Sequence, residues 1–191
     1  MRRAKPRLEP HIETERLVLR PLAERDLDAI FEGVRDRSVA VRLARVPHPY
    51  RRADAGAFLT RTRAGVAAGR EMTLGVEHDG ALIGCIGLGD IPRICELGYW
   101  FARPHWGKGF ATEAARAVVA YGFDALGLRL VRSGAFSDNP ASLRVQMKLG
   151  FRRTGLSERR SLARGHGVAH IDTVLTRARF RDANPHSKHR R

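Results

Sequence analysis

Residues Arg103-Pro-His-Trp-Gly107-Lys108-Gly109-Phe-Ala111-Thr-Glu-Ala-Ala constrain the fold of this chain more than any other segment. They follow an apolar, strand-like run from Cys95 to Ala102 and lead directly into an alanine-rich run of helical character. A strand that turns through glycines into a helix makes a phosphate cradle. Glycine lets the backbone approach an anion closely, and the first N–H groups of a helix have no intrahelical acceptor, so they point at it. Two well-known phosphate loops are excluded by spacing. A dinucleotide fingerprint needs glycine or alanine three residues after its second glycine, and position 112 is Thr. A nucleoside triphosphate loop needs Ser or Thr after Gly-Lys, and Lys108 is followed by Gly109.

The segment is similar to the cofactor loop of the GNAT superfamily of acyl-CoA-dependent N-acyltransferases, whose pattern is Gln/Arg-x-x-Gly-x-Gly/Ala. Gly109 and Ala111 match its last two fixed positions, and Trp106 stands where Gln or Arg is usual. One branch commonly carries this Trp. It contains the ribosomal-protein alanine N-acetyltransferases together with spermidine and aminoglycoside acetyltransferases, and the chain resembles it from about Ile12 to Phe180. Further matches are Thr14-Glu-Arg-Leu-Val-Leu-Arg-Pro21, Glu96-Leu-Gly-Tyr-Trp100, Asn139-Pro-Ala-Ser142 and Leu149-Gly-Phe151.

Length and composition set independent bounds. The 191 residues, 43% hydrophobic, suffice for one core and a single domain. The expected organisation is a basic segment over 1–11, an N-acetyltransferase domain over 12–180 and a basic tail over 181–191. No apolar run approaches the roughly 18 to 20 residues that span a bilayer, and the basic N-terminus is followed by no secretory apolar core, so a cytoplasmic protein without membrane contact is expected. Cys85 and Cys95 flank a probable turn, which on neighbouring strands would bring them close. They read as reduced, buried thiols. No pair of the eight His has ligand spacing beside a carboxylate, so no metal is expected.

The net charge of +15 comes from 35 basic and 20 acidic residues. Residues 1–10 and 181–191 each hold four basic residues against one acidic, which leaves +9 in between. Such a surface attracts polyanions: nucleic acid, an acidic protein, an anionic membrane surface or a phosphorylated cofactor.

Periodicity predicts strands at Leu17–Leu22, Met72–Glu77, Leu82–Leu88, Cys95–Ala102, Leu130–Phe136 and a closing one near Ile171–Phe180, with a hairpin signal at His78-Asp-Gly80. Helices are expected over Glu24–Val34, Arg51–Gly69, the run after the glycine loop, and Asn139–Leu149. Together these give an α+β sandwich, GNAT-like, with a mixed, mostly antiparallel central sheet and helices on both faces.

The resemblance implies acetyl-CoA as cosubstrate and an amine as acceptor. It implies that the main chain from Trp106 through Gly107, Lys108, Gly109, Phe110, Ala111 and Thr112 holds the pyrophosphate. It also implies that the strand before the loop splays from its neighbour and leaves backbone groups of Trp100, Phe101 and Ala102 for the pantetheine arm, the Phe101 N–H holding the oxyanion. Glu96 is the only carboxylate of that strand, and it is the candidate base, directly or through water. The competing reading is a solvent-facing charge that orders an arginine. Asn139 suits a helix N-cap, and in the family it also binds the pantetheine. Many members protonate the thiolate with a Tyr seven residues after this Asn, but position 146 is Gln, so the role passes to Ser142. For the acceptor, the leading expectation is a protein N-terminal α-amine, with a polyamine or aminoglycoside as the alternative. A non-enzymatic nucleic-acid module is the third reading, and the basic tracts lack the aromatics it needs. Monomer and homodimer both remain open.

Overall fold

The computed structural model describes residues 8–185. An eight-stranded sheet runs through it, built from β1 (Ile12–Glu13), β2 (Val18–Pro21), β3 (Met72–His78), β4 (Ala81–Gly89), β5 (Glu96–Phe101), β6 (Leu130–Phe136), β7 (Arg152–Arg160) and β8 (Gly167–Thr176). The order is β1-β2-β3-β4-β5-β6-β8-β7, and only the central β5–β6 pair is parallel. The β3–β4 hairpin turns at Asp79 and Gly80, both with positive φ, as a two-residue turn matched to strand twist requires. The mixed sheet with helices on both faces is the architecture expected.

The helices α1 (Leu27–Arg35), α2 (Arg37–Ala40), α3 (Arg52–Ala67), α4 (Phe110–Asp124), α5 (Pro140–Leu149) and α6 (Arg177–Ala183) divide between the two faces. On one face Phe110, Ala114, Ala115, Val118, Val119 and Phe123 of α4 pack against Leu19, Leu74, Ile86 and Leu97 of the sheet. Small side chains on α4 let the helix sit close to the strands, and burial of this apolar surface supplies the main stabilisation. The other face carries a smaller cluster in which Ile30, Val34, Ala55 and Leu59 of α1 and α3 meet Leu22 and Cys85. The α1 backbone approaches β5 closely, since a Cβ on Gly33 would lie 2.7 Å from the Trp100 ring.

Three expectations are corrected. Cys85 and Cys95 are both free and buried, but they belong to different clusters on opposite faces, so they are not neighbours. The closing strand ends at Thr176, and Arg177–Ala183 is helical, its first turn capped by the Thr176 hydroxyl accepting from the Arg179 N–H. Phe180 still reaches the core, from this helix, and packing continues past it to buried Asn184, whose amide bonds the Phe180 and Leu149 carbonyls. Two strands, the short β1 and the nine-residue β7, form from segments in which no strand was expected.

Candidate functional site

The site is built where β5 and β6 part. They share a single register pair, Glu96 with Arg132, whereas β5 and β4 stay paired along all six residues of β5. Three hydrogen bonds show which way the β5 backbone faces. The Cys95 carbonyl accepts from the Arg132 N–H (2.8 Å), the Leu97 carbonyl from the Ser133 hydroxyl (3.0 Å), and the Phe101 carbonyl from the Trp106 indole N–H (2.7 Å). Odd-numbered residues therefore turn their main-chain groups towards β6. The Ala102 N–H, bonded to the Ile83 carbonyl, confirms that even ones turn towards β4. The backbone groups expected at Trp100, Phe101 and Ala102 are thus narrowed. Trp100 and Ala102 face β4, and the N–H groups of Phe101 and Tyr99, with the Tyr99 carbonyl, face the gap.

The glycine loop closes one end of this gap. Gly107 and Gly109 adopt φ of 75° and 85°, and Gly109 is the left-handed cap of α4. From Gly107 to Ala111 the five successive N–H groups find no acceptor among the described residues, whereas those of Thr112 and Glu113 return to the Gly109 carbonyl. A run of unpaired amides at a helix N-terminus fits a pyrophosphate. The sequence motif around Thr14 has its explanation here. The Glu113 carboxylate in the first turn of α4 accepts from the Thr14 hydroxyl (2.6 Å), the Arg16 N–H (2.9 Å) and the Arg16 guanidinium, which also bonds the Lys108 carbonyl (3.0 Å). Burial pushes the Glu113 carboxyl up, but the Thr14 and Arg16 donors outweigh it, so it ionises below the usual carboxylate range. Trp106 braces the loop from the other side, its ring covered by the Arg42 guanidinium at 5.1 Å.

At the far wall stands α5. Asn139 caps it, its Oδ1 accepting from the Ser142 N–H (3.3 Å) and from Arg42 (3.1 Å). The Ser142 hydroxyl lies 2.8 Å from the Tyr99 hydroxyl and 3.3 Å from the Gln146 amide. Gln146 is fully buried and bridges the Gly134 carbonyl and the Thr173 hydroxyl, so it locks α5 to β6 and β8. Burial pushes the Tyr99 phenol up to about 12, which keeps it a neutral hydrogen-bond donor. Sequence reading missed Tyr99, although it lies inside the Glu96–Trp100 motif, and took Gln146 only as the lack of an acid.

Glu96 lies on the opposite face of β5 from Tyr99, two-fifths exposed and ion-paired with Arg159 at 2.8 Å. Of its apolar strand neighbours only Trp100 shares its face. Its neighbours Leu97 and Tyr99 point to the other face, as strand alternation demands. Arg159 also approaches Asp172 (3.7 Å), which holds His170 Nδ1 at 2.9 Å. Sequence reading missed this cluster. A cavity of about 400 Å³ lies beside Asn139, lined by Arg37, Val41, Asp138, Ala163, Arg164 and His166.

Residues 16–152 match the acetyltransferase (GNAT) domain family. The chain belongs to this family. It is an N-acetyltransferase, and as a GNAT enzyme it draws its acetyl group from acetyl-CoA. An uncharacterized N-acetyltransferase of Bacillus subtilis, YoaA, is 34% identical over 155 residues, which cover 77% of this chain and 85% of that protein. The fold is shared with Mycobacterium smegmatis RimJ in complex with CoA-disulfide (TM-score 0.77, 22% identity, 88% of each chain). It is shared also with a Vibrio cholerae spermidine N-acetyltransferase in complex with CoA and spermine (TM-score 0.74, 23% identity, 87% of this chain and 99% of that one). No helix among the described residues is long and apolar enough to cross a membrane.

Proposed function

We propose that this acetyltransferase acetylates a protein N-terminal α-amine, of ribosomal-protein type, by direct attack within a ternary complex. The amides from Gly107 to Ala111 hold the pyrophosphate, and Trp106, Phe110 and Thr112 shape the ends of that loop. The pantetheine threads the gap between β5 and β6, past Asn139, and the Phe101 N–H takes the carbonyl oxygen as its charge develops. The ammonium group approaches from the face that carries Glu96, which draws it in and towards which its proton leaves. The amine then forms the C–N bond, the C–S bond breaks, and the thiolate takes a proton from the Ser142 hydroxyl, which Tyr99 backs with a hydrogen bond of its own.

One observation carries the choice of acceptor. The carboxylates on that side are already engaged by arginines of the chain: Glu96 by Arg159, Asp172 by Arg159, and Asp138 by Arg164 in a two-pronged contact at 2.7 and 3.1 Å. A polyamine needs several unpaired carboxylates, and the lining offers arginines instead. A single α-amine at the end of a peptide asks for one carboxylate, and Glu96, 42% exposed, can meet it while it keeps Arg159. The arginine-rich surface also suits a substrate presented near nucleic acid, as on a ribosome.

Thiol release from acetyl-CoA, measured with peptides bearing N-terminal Ala or Ser and with spermine, tests this. The peptides should be turned over with the higher kcat/KM, and Ser142→Ala or Glu96→Gln should lower the rate about 10- to 1000-fold. A clear preference for spermine would refute the acceptor assignment, and full activity in both variants would refute the two residue roles.

A further inference from the structure

We infer that His170 is the group that accepts the proton of the incoming amine, held in the required tautomer by Asp172. The inference rests on the acyl-transfer reading above and deepens it by naming where the proton goes. Residues paired directly across a sheet share a face, as do alternate residues of one strand. Glu96 pairs with Arg132, Gly134 with Asp172, and Phe136 and Ser157 with His170. Glu96, Gly98, Gly134, Asp172 and His170 therefore stand on one face of the sheet, the face opposite α4, on both sides of the gap.

Two glycines make the floor of this face. A Cβ on Gly98 would meet nothing within 4 Å, so the surface beside the gap is open there. A Cβ on Gly134 would lie 2.2 Å from His170 Cε1 and 2.9 Å from Nε2, so the imidazole leans over Gly134 in space that no larger residue would leave. The Gly134 carbonyl is bonded by Gln146 of α5, so this part of β6 forms the wall of the gap facing Tyr99 and Phe101. The ring is thus next to the place where the amine must meet the thioester.

The chemistry of the ring suits the task. The Asp172 carboxylate 2.9 Å from Nδ1 accepts a proton from it, which leaves the lone pair on Nε2. No hydrogen bond engages Nε2 among the described residues, and the residue keeps only 6% of its surface exposed. Burial, then the charge of Arg159, holds the imidazole below its ordinary value, against the opposing pull of Asp172 and Glu96. Ser157 pairs with His170 across the sheet, and the Phe136 ring, itself under the Arg164 guanidinium at 5.1 Å, meets the imidazole edge-on at 6.0 Å. The ring is therefore neutral and able to accept at physiological pH.

The step balances as follows. The ammonium gives one proton to Nε2, forming an imidazolium whose Nδ1–H still faces ionised Asp172, and solvent removes that proton afterwards. The neutral amine attacks the carbonyl carbon, and the C–S bond breaks. The nitrogen then loses its second proton to Nε2, which solvent has freed of the first, and the proton that Ser142 gives to sulfur is restored from solvent.

The test is the pH dependence of kcat/KM with a peptide bearing N-terminal Ala, alongside coenzyme A affinity and Tm. In His170→Gln, kcat should fall about 100-fold or more. The acidic limb assigned to the imidazole should vanish, while coenzyme A affinity stays within threefold. Asp172→Asn, which favours the wrong tautomer, should lower kcat and move that limb. Retention of kcat and of the acidic limb in His170→Gln would overturn the inference. Should that variant fail to fold, unchanged kcat and an unchanged limb in Asp172→Asn would overturn it. If the wild-type protein prefers spermine, the same profiles are read on spermine, so only the acceptor assignment falls. Wild-type protein that binds coenzyme A but turns over no amine would remove the acyl-transfer reading before any variant is compared.

Discussion

The link between Glu113 and Arg16 offers the sharpest test of how the cofactor loop is held. In Glu113→Gln, the amide oxygen can still accept from the Thr14 hydroxyl and the Arg16 N–H. Its NH2 would instead face the Arg16 Nε and Nη2 donors that now sit 2.8 and 2.7 Å from the carboxylate. Two charge-assisted hydrogen bonds are lost, each of which contributes about 1.5 to 3 kcal/mol when buried. The Arg16 side chain is 41% exposed and recovers much of that from water, whereas Glu113 is only 14% exposed. The net cost is therefore about 1 to 2 kcal/mol. For a chain of this length that lowers Tm by roughly 2 to 8 °C. The Lys108 carbonyl loses its tie to the N-terminal segment at the same time, because Arg16 is no longer oriented. If the whole cost falls on the loop, its binding-competent conformation is depopulated and the apparent Kd for coenzyme A rises roughly 5- to 30-fold. Calorimetric titration with coenzyme A and thermal unfolding of Glu113→Gln, Arg16→Ala and the double variant measure both quantities. A Tm that falls while coenzyme A affinity stays unchanged would show an ordinary stabilising pair and refute the loop argument. Single effects that simply add in the double variant would show that the two residues do not act together.

Tyr99→Phe should lower kcat about tenfold, the scale of one hydrogen bond to Ser142, and leave the KM for acetyl-CoA unchanged in steady-state assays. Asp26 accepts from Arg20 through both oxygens (2.9 Å each) and from the Ala23 N–H (2.8 Å), so Asp26→Ala leaves a buried arginine with one carboxylate, Glu77, and the Pro21 carbonyl. It should cost about 3 kcal/mol, read as a Tm roughly 6 to 12 °C lower. Burial raises the Asp26 and Glu113 carboxyls, but their arginine and backbone donors prevail, and both ionise below their ordinary values of 3.8 and 4.5. The unfolded chain therefore takes up protons first. The stability they contribute is complete above those values and is lost as pH falls through the lower folded ones, which acid unfolding followed by circular dichroism will show in wild type and far less in Asp26→Ala.

The parts of the fold legible in the sequence are those where local pattern and tertiary role agree. The β5 strand, the glycine loop and α4 could be read because apolar periodicity, positive-φ positions and a small-residue helix face all lie within one stretch of chain. Where a segment's role depends on a distant partner, the pattern is silent. Arg152–Arg160 is almost wholly exposed and carries no alternation of apolar residues, because β7 is the outermost strand and takes its register from β8 alone. Phe180 was read as strand because one buried aromatic satisfies either period, and the Thr176 cap decides for helix.

The same distinction separates the two halves of the proposed active site. The half that receives the cofactor is coded by main-chain geometry, and main-chain geometry leaves glycines, a proline and an asparagine at fixed spacings that a reader can find. The half that receives the amine depends on which face each side chain occupies, and a shift of one residue reverses that. Glu96 shows the consequence. Its position in β5 was evident, yet its partners Arg159, Asp172 and His170 stand on β7 and β8, more than sixty residues further along. Only the pairing of β6 with β8 brings them to the gap. Substitutions that leave the loop intact but alter the register of β8 should therefore preserve coenzyme A binding and abolish transfer.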